Sequence, residues 1–188
     1  YWPAASEGND LIIFDPASLG KDLRELTRFT FPRQPAGEQL CLADYFMPLD
    51  SGVMDMVAFQ VVTVGKQATE RFEALDAAGE YSEGFFFHGL AVQLAEATAD
   101  YLHKQIRREL KMSPEQGLRY SWGYPSIPEL QDHAKVFELL PAEQELGMSL
   151  TSAYQLVPEQ STAAIILHHP DAQYFNVGTS LTDRAFGG

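Results

Sequence analysis

The sequence predicts an α+β fold: a twisted, mainly antiparallel sheet with flanking helices. Strand-like runs come first, helical segments fill the middle, and two further strand-like runs lie near the end of the chain. The regular alternation of strands and helices that a doubly wound parallel sheet requires is absent. The chain has 188 residues, a length that suits one domain or one compact two-lobed unit, and we expect a single unit spanning residues 1–188.

Short apolar, β-branched or aromatic runs predict the strands. The strongest is MVAFQVVTVG (56–65), whose β-branched density favours a central position in the sheet. Two late runs, SLTSAYQLV (149–157) and TAAIILHH (162–169), flank the turn PEQS and predict an antiparallel hairpin. The other predicted strands are LIIF (11–14) after the turn signal EGND, LTRFTFPRQ (26–34) ending at Pro32, and CLADYFM (41–47).

Helical periodicity begins after Gly65 and predicts one helix over 66–79 and a longer one over about 82–110. In the longer helix an apolar stripe predicts the face that meets the core, while another flank is polar. Pro128 predicts the start of a third helix, through about Leu140. The stripe consists of Leu90, Leu94, Ala97 and Tyr101, and the polar flank of Glu96, Asp100 and His103.

Charge and cysteine content exclude several classes. With 26 acidic and 13 basic residues the net charge is −13, which disfavours nucleic-acid binding. No apolar run is long enough to span a membrane, and no signal-peptide pattern opens the chain. The single cysteine, Cys41, forms no internal disulfide or CxxC pair, so we expect a reducing compartment and a cytoplasmic location.

Three other features have competing interpretations. The basic run HKQIRRELK (103–111) is either a solvated helix end, with cations near the negative end of the dipole, or a docking patch for an acidic partner. His168 and His169 are adjacent, so on a strand they point to opposite faces, and a turn at a strand end is favoured over a metal site. Cys41 lies in an apolar strand pattern, which favours a packed thiol over a nucleophile.

The stretch RYSWGYPSIPEL (119–130) is the main candidate site. Its prolines push Tyr124 and Ile127 towards extended conformations, and Gly123 permits a positive φ. A rigid extended backbone can read the edge of a flat heterocycle, and Arg119 supplies a planar fork for a carboxylate or phosphate. Trp122 and Tyr124 would offer aromatic faces, although a packed connector is the alternative interpretation.

Several segments, taken in order, resemble the activation domain of cobalamin-dependent methionine synthase, its C-terminal S-adenosylmethionine-binding module. RYSWGYPSIPEL matches the family's RxxxGYPxxP motif, and HPDAQYF (169–175) matches its HPxxxYF ending. The opening YWPAASEGNDL, the region EQLCLADYFMPLDSGVMDMVAFQVVTVG and the helix LAVQLAEATADYLHKQIRREL are also similar to family segments. The resemblance covers most of the chain and implies the family's activation-domain fold.

The resemblance also implies a function in methionine biosynthesis. The module brings S-adenosylmethionine to the cobalamin-binding domain of the same enzyme when its cobalt has been oxidised, and a flavodoxin-type or flavoprotein reductant supplies an electron. The chain would thus be part of a methyltransferase, bind S-adenosylmethionine and contact cobalamin held by a partner domain. Catalysis would come from positioning rather than from side-chain chemistry, so no catalytic residue is expected in the isolated domain.

Site roles follow from the same resemblance. Arg119 would hold the methionine carboxylate of S-adenosylmethionine, and the backbone near Tyr120, Ser121 and Gly123 would bond its adenine. Tyr124 would shape the pocket, Tyr174 and Phe175 would lie beside the ligand and near the corrin, and Glu96 would lie near the polar end of the ligand, with a solvated helix carboxylate as the alternative.

Two departures from the family pattern qualify the expectation. The family's ligand-binding aspartate lies upstream of the segment that YWPAASEGNDL resembles, in an N-terminal segment outside this sequence, and the region between Leu110 and Arg119 is shorter than the family's. The alternative function is therefore a structural or interaction module of the same fold that no longer binds S-adenosylmethionine.

Overall fold

A six-stranded sheet and a two-stranded sheet form the β structure of the protein, whose computed structural model describes residues 1–178. The large sheet has the order β3-β2-β1-β4-β8-β5, and the pairs β1–β2, β2–β3 and β1–β4 are antiparallel. The predicted α+β class with a mainly antiparallel sheet is confirmed. The strands are β1 (Trp2–Glu7), β2 (Asp10–Phe14), β3 (Glu25–Thr30), β4 (Asp55–Thr63), β5 (Leu118–Ser121), β6 (Ser149–Leu150), β7 (Leu156–Val157) and β8 (Ser161–Leu167).

Helix α2 (Tyr81–Glu109) dominates the helical part, with 29 residues. The others are α1 (Lys66–Ala77), α3 (His133–Leu139) and α4 (Ala142–Leu146), and three short 3-10 helices cover Pro16–Ser18, Leu42–Tyr45 and Leu49–Ser51. The two predicted long helices are thus confirmed to within a few residues. Of the helices in residues 1–178, none is both long enough and apolar enough to cross a membrane.

The chain divides into two compact units. Among the described residues, the first contains Tyr1–Phe59, Arg107–Glu129 and residues 165–178, and the second contains Gln60–Ile106 and Leu130–Ala164. The first unit has an aromatic core in which Phe29 lies 5.2 Å from Phe59 and 5.9 Å from Trp122, ring centre to ring centre. Such tilted pairs add to the free energy gained by burying these large apolar rings.

Four of the predicted strands, those at 11–14, 26–34, 56–65 and 162–169, lie where expected, and two regions differ. CLADYFM forms a 3-10 turn instead of a strand, because the Asp44 carboxylate accepts a hydrogen bond from the Cys41 backbone N–H at 3.2 Å and caps the turn. Strand β1 was not predicted, since its sequence WPAASE is poor in β-branched residues. Cys41 is buried, which confirms the prediction of a packed thiol.

The predicted hairpin of 149–157 with 162–169 is wrong. β6 pairs instead with β7, where Ser149 faces Val157 and Leu150 faces Leu156. The run from Ser161 to Leu167 joins the large sheet between β4 and β5. The local turn from Thr151 to Gln155 closes the small pair, because the Thr151 N–H donates to the Gln155 carbonyl at 2.9 Å.

The predicted core stripe of α2 is also wrong. Leu90, Leu94 and Tyr101 are exposed, and so is Ala97. The buried face carries small residues instead, because these let the helix approach its neighbours closely; they are Gly84, Ala91, Ala95 and Ala99, together with His103 and Ile106.

The third predicted helix starts later than expected, at His133 rather than Pro128. Ile127 is held in an extended bridge with Tyr124, so the residues after it are not yet helical. The expectation that both residues are extended is confirmed by that bridge.

Candidate functional site

The motif RYSWGYPSIPEL folds as an edge strand followed by a tight turn. β5 carries Arg119, Tyr120 and Ser121 and is the last strand in the order of the large sheet. Gly123 follows with φ 84°, which a residue with a side chain adopts only at a cost. An edge strand presents backbone N–H and C=O groups that no further strand of its sheet pairs, so β5 offers a row of groups suited to a flat heterocycle.

Pro125 and Ser126 occupy the centre of the turn. The Gly123 N–H donates to the Ile127 carbonyl at 2.8 Å, and the Ile127 N–H donates to the Tyr124 carbonyl at 2.9 Å. Proline at the second position of such a turn fixes φ in advance. The turn is therefore rigid, and it leaves the Tyr124 ring 63% exposed.

The two sequence motifs lie side by side in the first unit. The Tyr174 hydroxyl donates to the Arg119 carbonyl at 3.1 Å, and the Tyr120 hydroxyl donates to the Gln173 carbonyl at 2.7 Å. The rings of Tyr120 and Tyr174 are 5.1 Å apart with an interplanar angle of 56°. Residues more than 50 positions apart in sequence are thus joined directly at β5, beside the backbone of Arg119.

A second pair of contacts fastens the same segments at the turn. The buried Ser126 hydroxyl donates to the Phe175 carbonyl and accepts from the Phe175 N–H at 3.4 Å. Further along, the Val177 N–H donates to the Pro125 carbonyl at 3.2 Å. Sequence reasoning did not single out Ser126 or Gln173. The sequence feature that could have indicated both residues was their position inside the motifs GYPxxP and HPxxxYF.

Burial raises the pKa of Tyr120, and the neighbouring Tyr45 and Tyr174 raise it further. The Tyr120 hydroxyl therefore stays protonated at neutral pH and remains a hydrogen-bond donor. Its bond to Gln173 is for that reason a constant feature of the site across the physiological range.

Trp122 does not offer an aromatic face to a ligand, so that part of the prediction is wrong. The side chain is buried, and its ring packs at 5.9 Å from Phe29 and at 6.4 Å from Phe59. Tyr120 and Trp122 are both buried, as residues two apart on a strand share a face, and the turn at Gly123 ends this alternation, so that Tyr124 is exposed. The loop is thus both a packed connector, through Trp122, and a candidate binding surface.

Glu96 is the one predicted site residue that lies in the second unit, where it is partly buried on α2. Arg119, Tyr120, Ser121, Gly123, Tyr124, Tyr174 and Phe175 all belong to the first unit. The backbone N–H of Gly123 is used inside the turn, so a ligand would meet the other backbone groups of this stretch.

A second polar cluster in the first unit surrounds His168. Its Nε2 lies 2.6 Å from the Asp55 carboxylate, and its carbonyl accepts from Gln116 Nε2 at 2.7 Å. The hydrogen bond to Asp55 raises the pKa of His168 although burial opposes it. β8 ends at Leu167, which confirms that the two histidines follow a strand end, and an open cavity of about 390 Å³ borders His168 and Asp55.

Burial by itself would raise the pKa of Asp55. The hydrogen bond from His168 and those from the N–H groups of Met47 and Met56 outweigh it, so the pKa of Asp55 is lowered. The pair is consequently an ion pair over a range of pH, with both charges compensated. Among residues 1–178, no group of three or more His, Cys, Asp or Glu side chains is arranged to hold a metal ion.

Part of the basic run at the end of α2 has a structural role. Arg107 donates from Nε to the Gln116 carbonyl and from a terminal nitrogen to the Gly117 carbonyl, both at 2.8 Å. It therefore holds the segment that leads into β5, while Lys104 and Arg108 are exposed. His103, at the start of the run, is buried.

Comparison with known proteins agrees with this architecture. The family model described as "Vitamin B12 dependent methionine synthase, activation domain" matches residues 1–185. Methionine synthase of Mycobacterium tuberculosis (strain ATCC 25618 / H37Rv) is 40% identical over 200 residues, and that of Mycobacterium leprae (strain TN) is 39% identical over 200 residues. Each alignment covers 94% of this chain and 16% of the relative, so the chain spans about one sixth of their length.

Among solved structures, the crystal structure of the MetH reactivation domain bound to AdoHcy superimposes with a TM-score of 0.87 at 28% sequence identity. The match covers 99% of this chain and 64% of that chain. The sequence comparisons and the structural comparison indicate the same family. The family model extends over nearly the whole sequence. The chain belongs to the family of vitamin B12 dependent methionine synthase activation domains.

Proposed function

We propose that residues 1–188 act as the S-adenosylmethionine-binding activation module of a methionine synthase and support the reductive remethylation of its cobalamin. The observation that carries the proposal is the contact between the two motifs, in which Tyr174 bonds to the Arg119 carbonyl and Tyr120 bonds to the Gln173 carbonyl. The similar reactivation domain was crystallised with AdoHcy, which shares its adenosine and its amino-acid part with S-adenosylmethionine.

The residues around Arg119 suit such a ligand. The planar guanidinium of Arg119 can hold the amino-acid carboxylate through paired, charge-assisted hydrogen bonds. The backbone of Tyr120, Ser121 and Gly123 would bond adenine at the sheet edge, and Tyr124, Tyr174 and Phe175 would shield the bound ligand. Glu96 stays a predicted partner for the polar end of the ligand. When bound, S-adenosylmethionine supplies a methyl group already activated by its positive sulfur.

We further propose the partners of the whole enzyme. The cobalamin-binding domain of the same protein would dock against the module, and a flavodoxin-type or flavoprotein reductant would deliver the electron. The exposed cations Lys104 and Arg108 suit an acidic reductant, and the net charge of −13 argues against nucleic acid. We expect no membrane partner. The single buried thiol of Cys41 suits work in the cytoplasm.

The experiment that tests the proposal is calorimetric titration of S-adenosylmethionine into the chain and, in parallel, into the methionine synthase that contains it. Saturable binding by the chain supports the proposal directly. Binding by the longer protein alone also supports it and assigns the missing contacts to residues beyond this sequence. Absence of binding by both proteins would contradict it and favour the alternative, a structural or interaction module of the same fold.

A further inference from the structure

The outer face of α2 carries a continuous row of large apolar side chains. Phe86, Leu90, Leu94 and Tyr101 are exposed by 73%, 66%, 54% and 66%, and the exposed Ala97 continues the row. These five residues, called here the outer stripe, follow one another at intervals of 4, 4, 3 and 4, which keeps them on one side of a helix. A contiguous exposed apolar row of this length is typical of an interface rather than of a solvated surface.

The opposite side of α2 is apolar too, but it is already covered. Its small residues, among them Ala91, Ala95 and Ala99, are buried within the chain. A surface helix needs one apolar stripe, and a helix that is apolar on two sides is typical of the interior of a larger structure. The outer stripe is therefore the side of α2 that this chain leaves uncovered.

The spacing of the outer stripe fits a helix as its partner. Intervals of 4, 3 and 4 from Leu90 to Tyr101 correspond to the core positions of a heptad pattern, in which a second helix packs alongside. Exposed charges flank the two ends, with Glu83 near the start and Lys104 and Arg108 near the end. A matching helix would carry basic residues towards Glu83 and acidic residues towards Lys104 and Arg108.

We propose that the outer stripe is covered by an amphipathic helix from another part of the same methionine synthase polypeptide. The solved reactivation domain supports this source, since this chain matches only 64% of it and the remaining third has no counterpart here. A helix tethered in the same chain acts at an effective concentration in the millimolar range. Binding of a second copy of the chain would instead cost the full translational and rotational entropy of association. The inference rests on the module working within a methionine synthase but not on its S-adenosylmethionine site.

Thiol labelling of a Leu94→Cys variant tests the inference without added ligand. Cys41 is fully buried and does not compete for a maleimide reagent. A Glu73→Cys variant, at an exposed position of α1, is the matched control. We expect the Leu94→Cys variant to label as fast as the Glu73→Cys variant in the 188-residue chain. In the full-length methionine synthase it should label at least tenfold more slowly than the control.

Equal labelling rates at both positions in the full-length protein would overturn the proposal. Slow labelling of position 94 in the isolated chain that speeds up on dilution would also overturn it, and would identify a second copy as the occupant. A Leu90→Ser/Leu94→Ser variant gives an independent readout. It should leave the melting temperature of the isolated chain unchanged and lower that of the full-length enzyme, and an unchanged melting temperature in the full-length enzyme would count against the proposal.

Discussion

The hydroxyl of Tyr174 donates a hydrogen bond to the backbone carbonyl of Arg119, across 3.1 Å and 55 residues of sequence. Arg119 therefore does not stand alone on an edge strand, because the segment that follows β8 fixes its backbone from the side. An arginine whose backbone is held in place loses less conformational freedom when its guanidinium binds a carboxylate. This pre-organisation favours a higher affinity for the ligand. The Tyr174 hydroxyl therefore supports the backbone of Arg119, in addition to the place beside the ligand that we propose for its ring.

Loss of that hydroxyl should be measurable but modest. In a Tyr174→Phe variant one hydrogen bond at an exposed position disappears while the ring stays, so we expect S-adenosylmethionine affinity to fall by about twofold, or about 0.5 kcal/mol. Tyr81→Phe, an exposed tyrosine on α2, is the control and should bind like the wild type. Calorimetric titration measures both. A loss of more than about tenfold in Tyr174→Phe would mean that the hydroxyl contacts the ligand itself.

The entry to β5 depends on a glycine. Gly117 has φ +77°, and a Cβ added there would lie 2.5 Å from the Leu167 carbonyl oxygen, a backbone atom that cannot move aside. Gly117→Ala should therefore lower the free energy of unfolding by about 2 kcal/mol or more, from strain and steric overlap together.

Gly89→Ala is the matched control for that change. Gly89 lies on α2, where an added Cβ meets nothing within 4 Å, so alanine should raise stability by about 0.5–1 kcal/mol through its helix propensity. Urea unfolding of the two variants and the wild type gives the comparison. Equal stability of Gly117→Ala and the wild type would show that the backbone here relaxes, contrary to this description.

The His168–Asp55 pair should make stability depend on pH. His168 has a raised pKa, so its contribution is fully present below 6.5, its ordinary value, and is lost as the pH rises through the folded-state pKa. Asp55 has a lowered pKa, so its contribution is present above 3.8 and is lost as the pH falls through its folded-state pKa. The pair therefore stabilises the fold most between these two ordinary values.

A His168→Gln variant tests this pH dependence. Glutamine can keep a hydrogen bond to Asp55 but has no titrating charge, so the variant should lose stability relative to the wild type near pH 6. The difference should shrink as the pH rises past 6.5. Melting temperatures measured by circular dichroism across this range are the readout. A difference between the two proteins that stays constant with pH would show that the charge of His168 contributes nothing.

Periodicity and β-branched content predicted much of the fold because those signals are local. β4 and the two long helices follow directly from their sequences, and the sheet class follows from their order. β1 escaped prediction because Pro3, Ala4 and Ala5 carry no strand signal, and their pairing with β2 and β4 is set by tertiary contacts. CLADYFM has the composition of a strand, but one carboxylate, that of Asp44, caps it as a turn.

The wrongly predicted core stripe of α2 shows a different limit of prediction from sequence. The sequence of the helix contains two apolar faces, one of large and one of small residues, and composition favours the large ones as core. The structure buries the small face, because alanine and glycine allow close approach, and leaves Leu90 and Leu94 exposed. Which apolar face meets its own chain depends on the neighbours, and these are not encoded within the helix.

The candidate site came from resemblance rather than from pattern. Residues alone described RYSWGYPSIPEL as a stiff loop with an arginine, and the assignment of Tyr174 and Phe175 to the same place needed the family's motifs. The hydrogen bonds that join Arg119 to Tyr174 and Tyr120 to Gln173 depend on distances that sequence does not carry. The prediction that Trp122 offers a face to a ligand was wrong, because the sequence does not indicate whether an aromatic residue in a loop points to the core or to solvent.

Titration of S-adenosylmethionine into an Arg119→Ala variant tests the proposed site most directly. The full-length methionine synthase is the protein to use, with Arg24→Ala, an exposed arginine in the same unit, as the control and the melting temperature as a check on folding. Loss of a charge-assisted carboxylate clamp should weaken binding by about 2 kcal/mol, or roughly 30-fold, while Arg24→Ala binds normally. Unchanged affinity in a folded Arg119→Ala protein would contradict the site described here.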